Sequence, residues 1–143
     1  MEYQDHKRNL KSIVEKLEPY AAKKEQILLG YLFGSTARGE ARSDSDIDIA
    51  FLLKKIPTDD DRISLTSELI ELVENQNIDV VLLNDATPIV RHEVVSDGIL
   101  FFARDQERSN QFETEVYREY FDTDFLRKVQ NDYLMESISG ASS

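Results

Sequence analysis

Cysteine is absent from this chain of 143 residues. Its absence removes disulfides, thiolate zinc sites and cysteine nucleophiles together, and fits a reducing compartment. Also missing is any apolar run near the roughly 18–20 residues that a membrane span needs. The segment Met1 to Leu10 is polar and lacks the apolar core of a signal peptide. The expectation is a cytoplasmic protein without a membrane partner. Basic residues are the minority, 17 Lys and Arg against 28 Asp and Glu, for a net charge of −11. Such a surface repels a nucleic-acid backbone, whose binding rests on Lys and Arg displacing counterions. Direct nucleic-acid binding is therefore not expected, and a basic protein partner is easier to accommodate.

Several chemical motifs are missing as well. The phosphate-loop pattern ending in Gly-Lys-Ser/Thr does not occur. Asp44, Asp46 and Asp48 imitate the start of a calcium-binding EF-hand loop, but that loop needs Gly at its sixth position and Glu at its twelfth. Those positions hold Ile49 and Lys55. His6 and His92 are far apart and carry no partner motif, so each reads as a surface residue and Ser-His-Asp chemistry has no support.

What remains is enough for one core. The length suits a single domain, and 41% hydrophobic with 31% charged residues needs no covalent staple. Leu10, Ile13, Val14 and Leu17 fall at helical spacing. Pro19 either ends that helix or starts a further turn through Ala21 and Ala22. Ile27 to Phe33 reads as a buried strand ending at Gly34. Asp46 to Leu53 reads as a second, with Ile47, Ile49, Phe51 and Leu53 in alternation. Thr58 before Asp59, Asp60 and Asp61 is a helix start, since Thr caps free amides and the acids suit the positive end of the dipole. Ile63, Leu69, Ile70 and Val73 mark its buried face. Ile78 to Leu83 is a third strand, Thr87-Pro88 opens a short helix closed by Gly98, and Ile99 to Phe102 is a fourth strand. From about Gln106 to Met135 the pattern is helical, with Phe112, Val116, Tyr120, Leu126, Val129 and Tyr133 inward and a break expected near Phe121 to Asp124. Interleaved strands and helices give an α/β or α+β class with one small mixed sheet. The chain divides into one domain over residues 1–138, with its core at about 26–104, a helical segment at about 106–138 and a flexible tail at 139–143.

The chemistry is concentrated between Leu32 and Asp48. Residues two apart on a strand share a face, so Asp46 and Asp48 project side by side. A divalent cation rewards that otherwise repulsive arrangement, and Mg²⁺ takes one or two carboxylates plus phosphates and water. If the third strand neighbours the second, Asp79 completes a three-carboxylate cluster able to hold two ions. There it would ligate the second ion or accept a proton from an attacking hydroxyl. Gly34 permits close backbone approach, Ser35 offers a hydroxyl and an amide to phosphate, and Thr36 to Arg38 begins a short helix. Arg38 and Arg42 can neutralise phosphate charge. For Arg42 a plain surface role competes almost equally.

Gly34-Ser35, ten residues, then Asp46-Ile47-Asp48 resembles the polymerase β-like nucleotidyltransferase superfamily. The stretch from Phe33 to Asp48 is similar to its minimal branch, including the MntA-type antitoxins, and Tyr120-Phe121-Asp122 is also family-like. The resemblance implies the polymerase β-like fold, ATP as donor, two Mg²⁺ ions, Gly34 and Ser35 on the triphosphate, Asp46 and Asp48 on metal, and Asp79 as third acid. It further implies a cognate HEPN-domain RNase toxin as partner, modified with AMP on a hydroxyl, a tyrosine in the MntA type. The chain lacks the HEPN pattern of Arg, a spacer and His-x-Tyr, so it would be the neutralising member. Two alternatives stand beside this: a non-catalytic antitoxin that acts by binding alone, and a transferase acting on a small molecule such as an aminoglycoside.

Overall fold

The computed structural model describes residues 2–38, 46–122 and 128–136, with backbone alone for residues 2–9 and Thr36. Arg42, Leu126, the His6 side chain and the tail 139–143 lie outside the described residues. The chain runs α1 (Glu2–Lys23), β1 (Ile27–Phe33), α2 (Gly34–Arg38), β2 (Ile47–Leu53), α3 (Asp59–Val73), β3 (Ile78–Leu82), α4 (Pro88–Asp97), β4 (Ile99–Ala103) and α5 (Gln106–Tyr120). Residues 128–136 form a further helical segment. Among the described residues no helix is long and apolar enough to cross a membrane.

The four strands lie in the order β3-β2-β1-β4. β1 pairs antiparallel with β2 and with β4, whereas β2 and β3 are parallel. A parallel pair needs a long crossover, and α3 supplies it. The expected α/β class and small mixed sheet are therefore present.

Period-2 alternation splits the strands between two apolar layers. Ile47, Ile49, Phe51 and Leu53 of β2 join Ile78, Val80 and Leu82 of β3 beneath α1 and α3, packed with Leu17, Ala21, Leu65 and Leu69. Leu29, Tyr31, Ala50 and Leu52 face the other way, against Val94, Phe112 and Val116 of α4 and α5. Gly30 is fixed by a close approach: a Cβ there would stand 2.6 Å from the Phe101 ring, which meets Phe51 edge-on at 6.2 Å.

Local signals set the helix starts. Thr58 and Asp61 form a reciprocal capping box, with bonds of 3.2 and 2.8 Å to each other's backbone N–H. Thr87 caps α4 ahead of Pro88. Pro19 neither ends nor restarts α1, which continues to Lys23. It lies with Glu15 on the exposed side, where the carbonyl that proline leaves unpaired meets water. Ile63 departs from its expected place, being 63% exposed where Leu69 is 0%. Leu65, one turn before Leu69, takes the inward position instead.

Long polar side chains fasten the layers. The Arg104 guanidinium donates to the carbonyls of Ala21, Lys24 and Ile27, closing the turn between α1 and β1. Arg91 donates to the Leu83 and Asn84 carbonyls at 2.7 and 2.8 Å and pairs with Glu119. It thereby ties α4 to the exit of β3 and to α5.

The contrast on α3 yields a direct expectation. Leu69→Ala should cost about 2–5 kcal/mol through lost burial and a residual cavity. Ile63→Ala should stay within about 0.5 kcal/mol. Urea unfolding of both variants, read as midpoint shifts at constant slope, measures the difference.

Candidate active site

β1 ends and β2 and β3 begin at the same edge of the sheet. Asp48, the second residue of β2, stands opposite Phe33 on one side and Asp79 on the other. Partners in register point to one face, so Asp48 and Asp79 both project towards the layer of α4 and α5. The Ile47 N–H donates to the Asn77 carbonyl at 2.7 Å, which extends the pairing to the strand entry beside Asp46. Asp46 and Asp79 are exposed and Asp48 is half-buried.

The electrostatics follow. Burial raises the Asp48 carboxyl above its usual range, and the neighbouring Asp79 and Asp46 carboxylates push the same way. Arg38, at the end of α2, opposes the rise. Glu93 of α4 adds a further upward push. The four groups thus surround Asp48, three of them negative.

Gly34 supplies the space. Its φ of +71° is left-handed, and a Cβ built there would lie 2.2 Å from Asp48 Oδ2. Glycine is required by both the dihedral and the carboxylate beside it. Helix α2 starts at Gly34 itself rather than at Thr36, so the Ser35 backbone stands in its first turn.

Of the residues singled out by sequence, Gly34, Ser35, Arg38, Asp46, Asp48 and Asp79 gather at this edge, while Arg42 is outside the described residues. Among the described residues no group of three or more His, Asp or Glu side chains is placed to hold a metal ion, so the expected three-carboxylate cluster is not a preformed metal site. Mg²⁺ does not require one, since it completes its shell with phosphates and water. The donor set fits an open site: hard carboxylate oxygens whose mutual repulsion a divalent cation would relieve.

Two residues escaped the sequence reading. Glu93 belongs to the carboxylate group only because α4 packs across the end of β1. His92, read as an isolated surface residue, is half-buried and stacks on Tyr120 with ring centroids 3.7 Å apart and 9° between planes. Tyr117 and Phe121 meet it edge-on. A search for the His-x-Tyr or triad patterns could not have found this contact, which joins two helices.

A family model described as polymerase beta, nucleotidyltransferase, matches residues 15–107. No curated protein matches the chain. Solved structures do. A toxin–antitoxin crystal structure with AMP-PNP is 25% identical, with a TM-score of 0.72, over 85% of this chain and 98% of the other. A mutant of the MntA-HpeT toxin–antitoxin pair is 26% identical, with a TM-score of 0.67, over 87% and 96%. A third, a tri-AMPylated Shewanella oneidensis HEPN toxin in complex with an MNT antitoxin, is 24% identical, with a TM-score of 0.65, over 91% and 98%, and shares the fold.

Two measurements test the geometry. A carboxyl whose pKa is higher in the folded than in the unfolded chain lowers stability once it ionises. It has no such effect below the unfolded value, about 3.9 for Asp. In metal-free buffer, Asp48→Asn should therefore raise Tm at pH 7, with the gain vanishing as pH falls towards about 4. Gly34→Ala should lower stability by about 1–3 kcal/mol, from left-handed strain and the clash with Asp48. Urea unfolding reads that loss.

Proposed function

Because this chain belongs to the polymerase β nucleotidyltransferase family, we propose that it is the antitoxin of a toxin–antitoxin pair and transfers AMP from ATP to a hydroxyl of a HEPN-domain toxin. The observation that carries the reading is the pairing of Asp48 with Asp79 on adjacent parallel strands, beside Asp46 and the left-handed Gly34. Similarity to toxin–antitoxin complexes, one holding AMP-PNP, supports both the partner class and the nucleotide.

In this reading Gly34 and Ser35 receive the triphosphate at the first turn of α2, where a side chain on residue 34 would block the approach. Arg38, and Arg42 with it, offsets phosphate charge. Asp46 and Asp48 would hold Mg²⁺, with Asp79 as the third acid of the group. Mg²⁺ held there would supply charge neutralisation at the phosphate under attack. The acceptor oxygen, a tyrosine hydroxyl in the reading from resemblance, attacks the α-phosphorus in line. A new P–O bond forms, the bond to the β-phosphate bridging oxygen breaks, and pyrophosphate leaves. The acceptor proton passes to the Asp79 carboxylate, which is exposed and can return it to water. Positioning and electrostatics account for the rate, since no covalent intermediate with the protein is needed.

The residues through 138 act as one unit in this proposal, soluble in the cytoplasm. Net charge of −11 disfavours a nucleic-acid acceptor.

Incubation of the purified chain with ATP, Mg²⁺ and the product of the adjacent reading frame should add AMP masses to that product, read by intact mass spectrometry. Asp46→Ala and Asp48→Ala should each reduce transfer by at least about 10²-fold. Chelation of the metal should abolish it. An unmodified partner sinks the proposal. Full neutralisation of the toxin by Asp46→Asn with Asp48→Asn, without transfer, would favour occlusion by binding alone.

A further inference from the structure

The helix at 128–136 disagrees with its own sequence pattern. Val129 and Tyr133 are spaced for burial, yet Val129 is 48% exposed and Tyr133 69%. Leu134 and Met135 are 54% and 65% exposed, and all nine residues of the segment are exposed. Most helical stability in proteins comes from packing an amphipathic face rather than from propensity.

That face is defined. At 100° per residue, Val129, Gln130, Tyr133 and Leu134 fall on one side, and Lys128, Asp132 and Glu136 fall on the other. The first four form one contiguous, open surface.

Charge selects the occupant. A second copy of this chain also carries −11, so two copies repel as they approach. A cationic protein is drawn in instead. An enzyme that cleaves RNA must be cationic where it binds phosphates. We propose that the Val129–Gln130–Tyr133–Leu134 face docks into an apolar groove of a basic protein partner, the acceptor of the transfer described above. The proposal rests on that reading for the partner's identity. It adds that recognition is carried by a helix-in-groove contact outside the carboxylate edge. Tyr133 is the central anchor, since a large, stiff aromatic ring loses little entropy on binding.

The test uses the full chain and the product of the adjacent reading frame. Tyr133→Asp with Leu134→Asp, and separately Tyr133→Ala with Leu134→Ala, should weaken binding at least about tenfold by titration calorimetry. Met135→Asp, on the far side of the helix, should change affinity by less than about threefold. ATP binding and Tm should be unchanged in all three, and the affinity of the wild-type chain should fall with added salt.

Wild-type affinity in both double variants overturns the docking proposal and leaves AMP transfer standing. No binding by the wild-type chain overturns it too. A dimer of the wild-type chain that the double variants convert to monomer, seen by light scattering, overturns it in favour of self-association. Binding without AMP transfer, lost in the double variants, supports the docking proposal while the proposed reaction fails.

Discussion

Two carboxylates held side by side on neighbouring parallel strands govern this molecule. Hydrogen bonding between β2 and β3 sets Asp48 against Asp79, and backbone pairing cannot yield without unravelling the sheet edge. The like charges are therefore forced together, and burial of Asp48 raises the cost of ionising it. In the proposed function a bound divalent cation would offset that repulsion. The apolar layers on both faces of the sheet supply the rigidity that keeps the carboxylates from moving apart.

The surrounding elements serve that edge. Gly34 gives up its side chain so that the β1–α2 turn can close beside Asp48. Arg38 brings a positive group that opposes the repulsion on Asp48. Arg91 and the His92–Tyr120 stack fasten α4 to α5, and this holds Glu93 near the acids. The opposite face, under α1 and α3, is filled by apolar packing that includes Phe51 and Phe101, with the Tyr20–Glu68–Lys24 contact at its margin.

Much of this was legible in the linear order of residues. The strands at Ile27, Ile47, Ile78 and Ile99, the cap at Thr58 and the Pro88 start of α4 all rest on short-range rules, and they lie where those rules put them. The departures share a cause. Pro19 stays helical because its turn faces water, Ile63 is exposed because Leu65 occupies the inward stripe, and Val129 and Tyr133 are exposed although spaced like Phe112 and Val116. Periodicity shows which side of a helix is apolar. It does not show whether anything covers that side.

The sequence by itself determined the fold class, the spacing of Gly34-Ser35 ahead of Asp46-x-Asp48, and the acidic surface, because dihedral preference, alternation and net charge are properties of the chain read locally. The tertiary structure decided that β3 lies beside β2, that Asp79 meets Asp48, that Glu93 joins them from α4, and that His92 stacks on Tyr120. Each of these depends on where a crossover lands, and that is fixed by packing the two faces of the sheet rather than by any residue's neighbours in sequence.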